Sequence, residues 1–167
     1  MNDRVHGDYV IRELPVEREQ LARLAKLHHE VLPSRLYATP EKQAKFLDEL
    51  MNSLSERESL VLAAFDGDVA VAYKLGYRTG NRQECFYSWL GGVHPHHRRK
   101  GLARALTRMQ HEWAREHGYL YIETHTWGDN PAMMILNLQE GFTAVGSLSA
   151  IDRPGARIIM RKLLRES

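Results

Sequence analysis

The sequence predicts a mixed α/β fold, and three observations carry that prediction. Apolar residues recur at helical spacing over 17–32 and 101–117, then switch to short extended runs at 60–65, 69–77, 85–93 and 119–126. The central residues read strand, helix, strand, helix: 85–93, 101–117, 119–126 and 131–140. A strand–helix–strand unit of that length requires parallel strands joined by a right-handed crossover, whereas the flanking strands are joined by turns and pair antiparallel.

Taken in order, Tyr9 to Leu14 reads as an opening strand. Leu21, Leu24, Ala25, His28, Val31 and Leu32 form one helical stripe, stopped by Pro33. A second helix starts at Thr39 as N-cap with Pro40 in the first turn, and its stripe is Phe46, Leu47, Leu50, Met51 and Leu54. The runs Leu60–Phe65 and Val69–Tyr77 flank Asp66-Gly67-Asp68 and read as an antiparallel hairpin. After a polar turn at 79–83 and the strand Cys85–Val93, the helix 101–117 buries Leu102, Leu106, Met109 and Trp113 and ends at Gly118. A strand at Tyr119–Thr126, a helix at 131–140 and strands near 143–150 and 156–164 close the chain.

With 167 residues and no linker-like stretch, the chain reads as a single domain over 1–167 with its core at 8–165. Twenty-three Lys and Arg against 21 Asp and Glu give a net charge of +2, too balanced for a dedicated nucleic-acid binder. Cys85 is the single cysteine, so no internal disulfide forms, and its place in a strand reads as a small buried hydrophobe. Met1–Val10 lacks the apolar stretch of a signal peptide, and no run approaches the roughly 20 apolar residues of a membrane helix. The expectation is a cytoplasmic protein with neither nucleic acid nor membrane as partner; a homodimer stays open.

The segment Val93-His94-Pro95-His96-His97-Arg98-Arg99-Lys100-Gly101-Leu102-Ala103 carries the most information. It follows a strand and opens a helix. The first N–H groups of a helix have no acceptor within it, and the helix dipole places partial positive charge there, so the position suits a phosphate. Gly101 admits close backbone approach, Ala103 keeps the next turn narrow, and Arg98, Arg99 and Lys100 add charge for a polyanion. A metal at His94, His96 and His97 is disfavoured by the cationic neighbours and by the absence of a nearby acidic or thiol ligand, so no metal is expected. In the second half, Asn130 is a helix N-cap with Pro131 at the first helical position, Met133 and Asn137 follow at helical spacing, and Gly141-Phe142 ends the helix.

Arg98-x-x-Gly101-x-Ala103 resembles the Arg/Gln-x-x-Gly-x-Gly/Ala pyrophosphate loop of the GNAT superfamily of N-acetyltransferases. Asn130-x-x-Met133 with the closing Gly141-Phe142 is similar to that superfamily's second motif, and the element order matches over roughly 8–165. The resemblance implies an acyl-CoA N-acyltransferase fold: a mixed, mostly antiparallel sheet of about seven strands, a central splayed parallel pair, and helices on both faces. It implies acetyl-CoA as co-substrate, its pyrophosphate held at Arg98–Ala103. The pantetheine arm bonds the main chain of Leu90, Gly91, Gly92 and Val93, with Asn130, Met133 and Asn137 completing the cofactor site. Many members carry a tyrosine acid four residues before the Gly-Phe; here Asn137 stands there, an amide that can hydrogen-bond sulfur but cannot give up a proton.

Acyl transfer to an amine needs a neutral amine, a stabilised oxyanion and a proton acceptor. A base works best with a pKa near the working pH, which favours histidine. His125 ends a strand and occupies the motif-relative position of a glutamate in members that acetylate ribosomal-protein N-termini. Glu123 shares its face by strand alternation and either orients it, substitutes for it or pairs with an arginine. Tyr87 occupies the position of the glutamate base of the histone-acetylating branch. The acceptor is expected at roughly 28–40 and 146–156, with His28, Tyr37 and Arg153 as lining residues. The expected reaction is direct acetyl transfer from acetyl-CoA to a primary amine of a small molecule or peptide in a ternary complex, without a covalent enzyme intermediate. The alternative is a non-catalytic acyl-CoA-binding module on the same fold.

Overall fold

The computed structural model describes residues 3–32, 38–80, 84–149 and 155–164. Their backbone contacts cluster into two compact units, Met1–Tyr77 with Leu90–Leu106, and Arg78–Trp89 with Thr107–Ser167. Each is described separately. Two strands and one helix continue from one unit into the other.

In the first unit, β1 (Arg4–His6) turns at Gly7-Asp8 into β2 (Tyr9–Glu13), placing His6 opposite Tyr9. Gly7 takes a φ of 59°, the conformation required of the first residue in a two-residue hairpin turn with glycine leading. β2 pairs antiparallel with β3 (Ser59–Asp66), and β3 with β4 (Val69–Thr79). The order is β1-β2-β3-β4, followed by the last residues of β5 (Cys85–Val93). Between β2 and β3 lie α1 (Arg18–Val31) and α2 (Pro40–Ser55). Thr39 caps α2 by accepting from the Lys42 amide at 3.3 Å.

The expected stripes of both helices are buried, with two departures. Leu47 and Met51 are only half-buried. Leu32 is 49% exposed because it is the C-cap of α1, beyond the last helical turn. Leu21, Leu24, Leu27, Phe46, Leu50 and Leu54 join the near-continuous buried run Leu60–Phe65. Each buried leucine of this kind contributes ~1.5–3 kcal/mol relative to exposure. One polar pair sits in this core: His28 Nδ1 hydrogen-bonds the Tyr73 hydroxyl, and the His28 ring stacks on Phe46 at 4.9 Å.

The second unit starts with the first residues of β5, which pair in parallel with β6 (Tyr121–Trp127) from Cys85 opposite Tyr121 to Ser88 opposite Thr124. β6 pairs antiparallel with β8 (Ala156–Leu163), and β8 with β7 (Thr143–Ser149), giving the order β5-β6-β8-β7. The helices here are α3 (Leu102–Glu116), from Thr107 onward, and α4 (Pro131–Gln139). Trp113 of α3 and Phe86 of β5 pack at 5.2 Å, and Tyr119 meets Phe86 at the same distance.

The mixed sheet with one parallel pair agrees with the sequence reading, and there are two differences of detail. Eight strands are present among the described residues rather than about seven, the extra one being β1. Tyr119 is not yet strand: its amide bonds the Ala114 carbonyl at 3.0 Å, so it belongs to the turn that ends α3 at Gly118. Among the described residues no helix is long and apolar enough to cross a membrane.

His28 makes stability pH-dependent. Burial, then the neighbouring His29, pushes its pKa from 6.5 down to about 4. Between those values the unfolded chain binds more protons than the folded one at this residue, so stability falls as pH drops through that window and is indifferent to His28 above it. The full effect is about 3 kcal/mol. His28→Gln, which does not titrate, should show a shallower loss in urea titrations from pH 6.5 to 4; parallel curves would refute the assignment.

Candidate functional site

The loop between β5 and α3 lies in the first unit. After a short 3-10 turn at Pro95–His97, Arg99 takes a φ of 65° and Gly101 a φ of 78°. The Ala105 amide bonds the Gly101 carbonyl at 3.0 Å, which starts the α3 ladder. Arg98, Arg99 and Gly101 are exposed, and 93–103 contains no carboxylate. Cations, open amides and small residues together fit a phosphate group.

The cations are not equally available. The Arg98 Nε donates to the Val93 carbonyl at 3.1 Å. Lys100 Nζ donates to the Tyr9 hydroxyl at 2.9 Å, a bond that pushes its ammonium pKa up. His97 Nδ1 lies 3.0 Å from the same hydroxyl and 3.9 Å from an Asp66 carboxylate oxygen. Of the three loop histidines, two therefore sit near a carboxylate of another segment, since His94 Nε2 is 3.9 Å from Glu30. Among the described residues no cluster of metal-ligating side chains is present.

At the end of β5, Leu90, Gly91, Gly92 and Val93 are exposed or half-buried. The two glycines differ. A Cβ on Gly91 would meet the Tyr73 carbonyl at 3.4 Å and Lys74 at 3.7 Å, ordinary contacts. A Cβ on Gly92 would lie 2.6 Å from Val31 Cγ1 and 3.1 Å from the Tyr73 hydroxyl, so α1 and β4 close over that residue.

In the second unit, β6 presents Glu123 and His125 on one face and Thr124 and Thr126, both buried, on the other. Glu123 stands directly opposite Arg161 of β8, whose Nη2 bonds it at 2.8 Å. His125 Nε2 bonds the other carboxylate oxygen at 3.1 Å. Burial pushes the Glu123 carboxyl up, but the hydrogen bonds and charges of Arg161 and His125 outweigh it and hold it below its usual value. An ionised carboxylate only accepts, so the neutral His125 carries its hydrogen on Nε2 and keeps a lone pair on Nδ1. That Nδ1 is buried and has no hydrogen-bond partner among the described residues. The Tyr87 ring meets His125 at 5.1 Å.

Asn130 caps α4 by accepting from the Met133 amide at 3.3 Å, with Pro131 in the first turn. Asn137 is 3% exposed, and its amide nitrogen donates to Thr126 Oγ1 at 2.9 Å and to Met160 Sδ at 3.7 Å. Both its N–H groups are engaged. It reaches the Thr126 face of β6, so the structure does not bring it together with His125, which projects to the opposite face.

Of the expected acceptor residues, His28 is buried in the core at 4% exposure, while Tyr37 and Arg153 lie outside the described residues. Sequence reasoning missed Arg161, Thr126, His6 and Tyr9. Arg161 becomes legible only once the β6–β8 register is known. His6 and Tyr9 flank Gly7-Asp8, a two-residue turn signal that was available.

A family model described as the acetyltransferase (GNAT) domain matches residues 3–131. The chain belongs to that family. The matched span contains the loop at 98–103 together with Glu123 and His125; Asn137 and Arg161 lie beyond it. No curated protein matches the sequence. Among solved structures, the chain resembles the ribosomal-protein-S18-alanine N-acetyltransferase of Escherichia coli with a TM-score of 0.75 at 18% identity, covering 95% of this chain and 96% of that one. It resembles YncA of Salmonella typhimurium, described as an acetyltransferase and solved with its cofactor acetyl-CoA, with a TM-score of 0.75 at 20% identity and 96% of both chains covered. PaiA N-acetyltransferase of Thermoplasma acidophilum, solved with coenzyme A, gives 0.68 at 20% identity, covering 93% of this chain and 98% of that one. At these identities the structures share the fold.

Gly92→Ala should destabilise the protein by ~1–3 kcal/mol, the usual cost of overpacking. Val31→Ala in the same chain removes the 2.6 Å obstacle and should recover most of that loss. Urea unfolding of the two single variants and the double variant measures the coupling; strictly additive effects would contradict the contact.

Proposed function

We propose that the chain transfers an acetyl group from acetyl-CoA to a primary amine of a small molecule or a peptide, directly in a ternary complex and without a covalent enzyme intermediate. The observation that carries this reading is the loop at 98–103: left-handed at Arg99 and Gly101, free of carboxylates, and heading α3 within the span matched by the GNAT family model. Similar structures solved with acetyl-CoA or coenzyme A support the co-substrate, and the similar ribosomal-protein-S18-alanine N-acetyltransferase supports an amine acceptor.

Bound acetyl-CoA supplies the acyl group as an activated thioester. Arg98–Ala103 hold its phosphates, and the main chain of Leu90–Val93 holds the pantetheine arm. Main-chain N–H groups there also polarise the acyl carbonyl. Asn130 and Met133, at the start of α4, are further cofactor-binding residues in this reading.

The proton is handled on β6. His125 is the base in this reading, its lone pair left on the buried Nδ1 by the Glu123 bond. Arg161 keeps Glu123 ionised, so Glu123 orients His125 and stabilises its charged form rather than acting as the base. Asn137 enters as a packing residue that ties α4 to β6. A second reading keeps the cofactor site and drops catalysis. The engagement of both Asn137 N–H groups favours it, because no donor is left there for the sulfur. Thiol release across a panel of amines separates the two readings.

CoA should raise the melting temperature progressively with concentration, as expected for a ligand of the folded state. Gly101→Asp should abolish that rise by placing a carboxylate at the phosphate. An unchanged melting temperature at millimolar CoA would remove the basis of the proposal.

His125→Ala should lower turnover about 10²–10⁴-fold, the usual size of general-base catalysis, and leave CoA affinity nearly intact. His125→Gln should lose activity as well, since it cannot accept a proton. Near wild-type turnover with the same pH profile would transfer the role of base elsewhere.

A further inference from the structure

We propose that the N-terminal hairpin braces the phosphate loop, with His6 and Tyr9 as positioning residues for coenzyme A; this rests on the reading of 98–103 as the phosphate site. The loop contains a feature that needs outside support. Arg99 has a side chain in the left-handed region, which costs ~1–2 kcal/mol relative to its ordinary conformation. Phosphate-binding amides cannot themselves be used to hold the loop in that shape.

The hairpin supplies the missing bonds. His6 Nε2 lies 2.9 Å from the Lys100 carbonyl, which accepts its hydrogen. A peptide unit is planar and trans, so its carbonyl and its N–H point in opposite directions. Fixing the Lys100 carbonyl toward His6 therefore turns the Gly101 N–H away from the hairpin, to the side left open for a ligand. The approach is close: a Cβ on Gly101 would lie 3.1 Å from His6 Nε2, so His6 is a second reason for glycine at 101 besides its positive φ.

Tyr9 holds the loop at two points. Lys100 Nζ can only donate, so the Tyr9 oxygen accepts from it at 2.9 Å, and the hydroxyl's own hydrogen is available to His97 Nδ1 at 3.0 Å. Tyr9 is 5% exposed, so its ring is fixed by the core while its hydroxyl ties residues 97 and 100 together. Because His6 and Tyr9 face each other across Gly7-Asp8, one two-residue turn sets both contacts.

The test compares wild type with His6→Ala, His6→Gln and Tyr9→Phe. CoA affinity is measured by calorimetry, pantetheine affinity by displacement of CoA, and KM and kcat for acetyl-CoA in turnover. His6→Ala should weaken CoA about 5–10-fold, the effect of one lost hydrogen bond, Tyr9→Phe, which loses two, at least as much, and each should raise the KM for acetyl-CoA by its own factor. Pantetheine affinity and kcat at saturation should change by less than twofold. His6→Gln, whose amide can donate in place of Nε2, should recover most of the loss. Wild-type CoA affinity in His6→Ala, equal losses for CoA and pantetheine, or a His6→Gln as weak as His6→Ala would each overturn the brace while leaving the phosphate-site reading intact. If the wild type itself does not bind CoA, that reading fails and the brace falls with it.

Discussion

A loop that offers its amides to a ligand cannot spend them on its own conformation, so its shape has to be imposed from outside. Here the imposed shape includes a left-handed arginine next to a left-handed glycine, with three cationic side chains in a row. Mutual repulsion and the cost at Arg99 both favour opening the loop. What opposes them is a small number of directed bonds: Val93 accepting from Arg98, Tyr9 accepting from Lys100, and the Lys100 carbonyl accepting from His6. Each is individually modest. They are effective because their partners are fixed beforehand, Tyr9 by burial and His6 by a two-residue turn.

With His125 as the proposed base, the second unit meets a different electrostatic requirement. A base must be neutral and available, yet stable once charged. Glu123 alone, partly withdrawn from water, would tend to keep its own proton. Arg161 directly across the β6–β8 ladder removes that tendency, and the resulting carboxylate fixes which nitrogen of His125 is free. In the proposed mechanism Arg161 thus bears on the tautomer of His125 through Glu123. Asn137 belongs to a separate set of bonds on the other face, where it ties α4 to Thr126 and Met160.

How much of this could be read from the chain depends on whether the information was local. Periodicity located both long helices of the first unit and the order of the central elements, because burial of one face is a local pattern. Thr39 and Asn130 were legible as caps because capping involves three or four consecutive residues. The loop at 98–103 was legible for the same reason. Strand β1 was missed although His6-Gly7-Asp8-Tyr9 carries a hairpin signal, since a three-residue strand is too short for its alternation to register. Arg161 and Thr126 could not be assigned at all. Their partners are set by antiparallel register and by the packing of α4, which no short window of sequence specifies. Leu32 shows the opposite error, a residue in phase with its helix but past its end.

Glycine use along the segment from β5 to α3 makes the same point in steric terms. Gly92 and Gly101 are both required, but by different neighbours: the first by Val31 and Tyr73 pressing on it, the second by its own φ and by His6. Gly91, just before Gly92, is under no such pressure. In the sequence Gly101 reads as a residue that lets a ligand approach, and nothing there tells Gly91 from Gly92. The distinction matters because a residue kept small by a close protein neighbour reports on packing, whereas Gly91 has only the Tyr73 carbonyl and Lys74 at ordinary contact distance. By that criterion the packing constraint along β5 falls on Gly92, while Gly91 is exposed and tolerates a Cβ at ordinary contact distance.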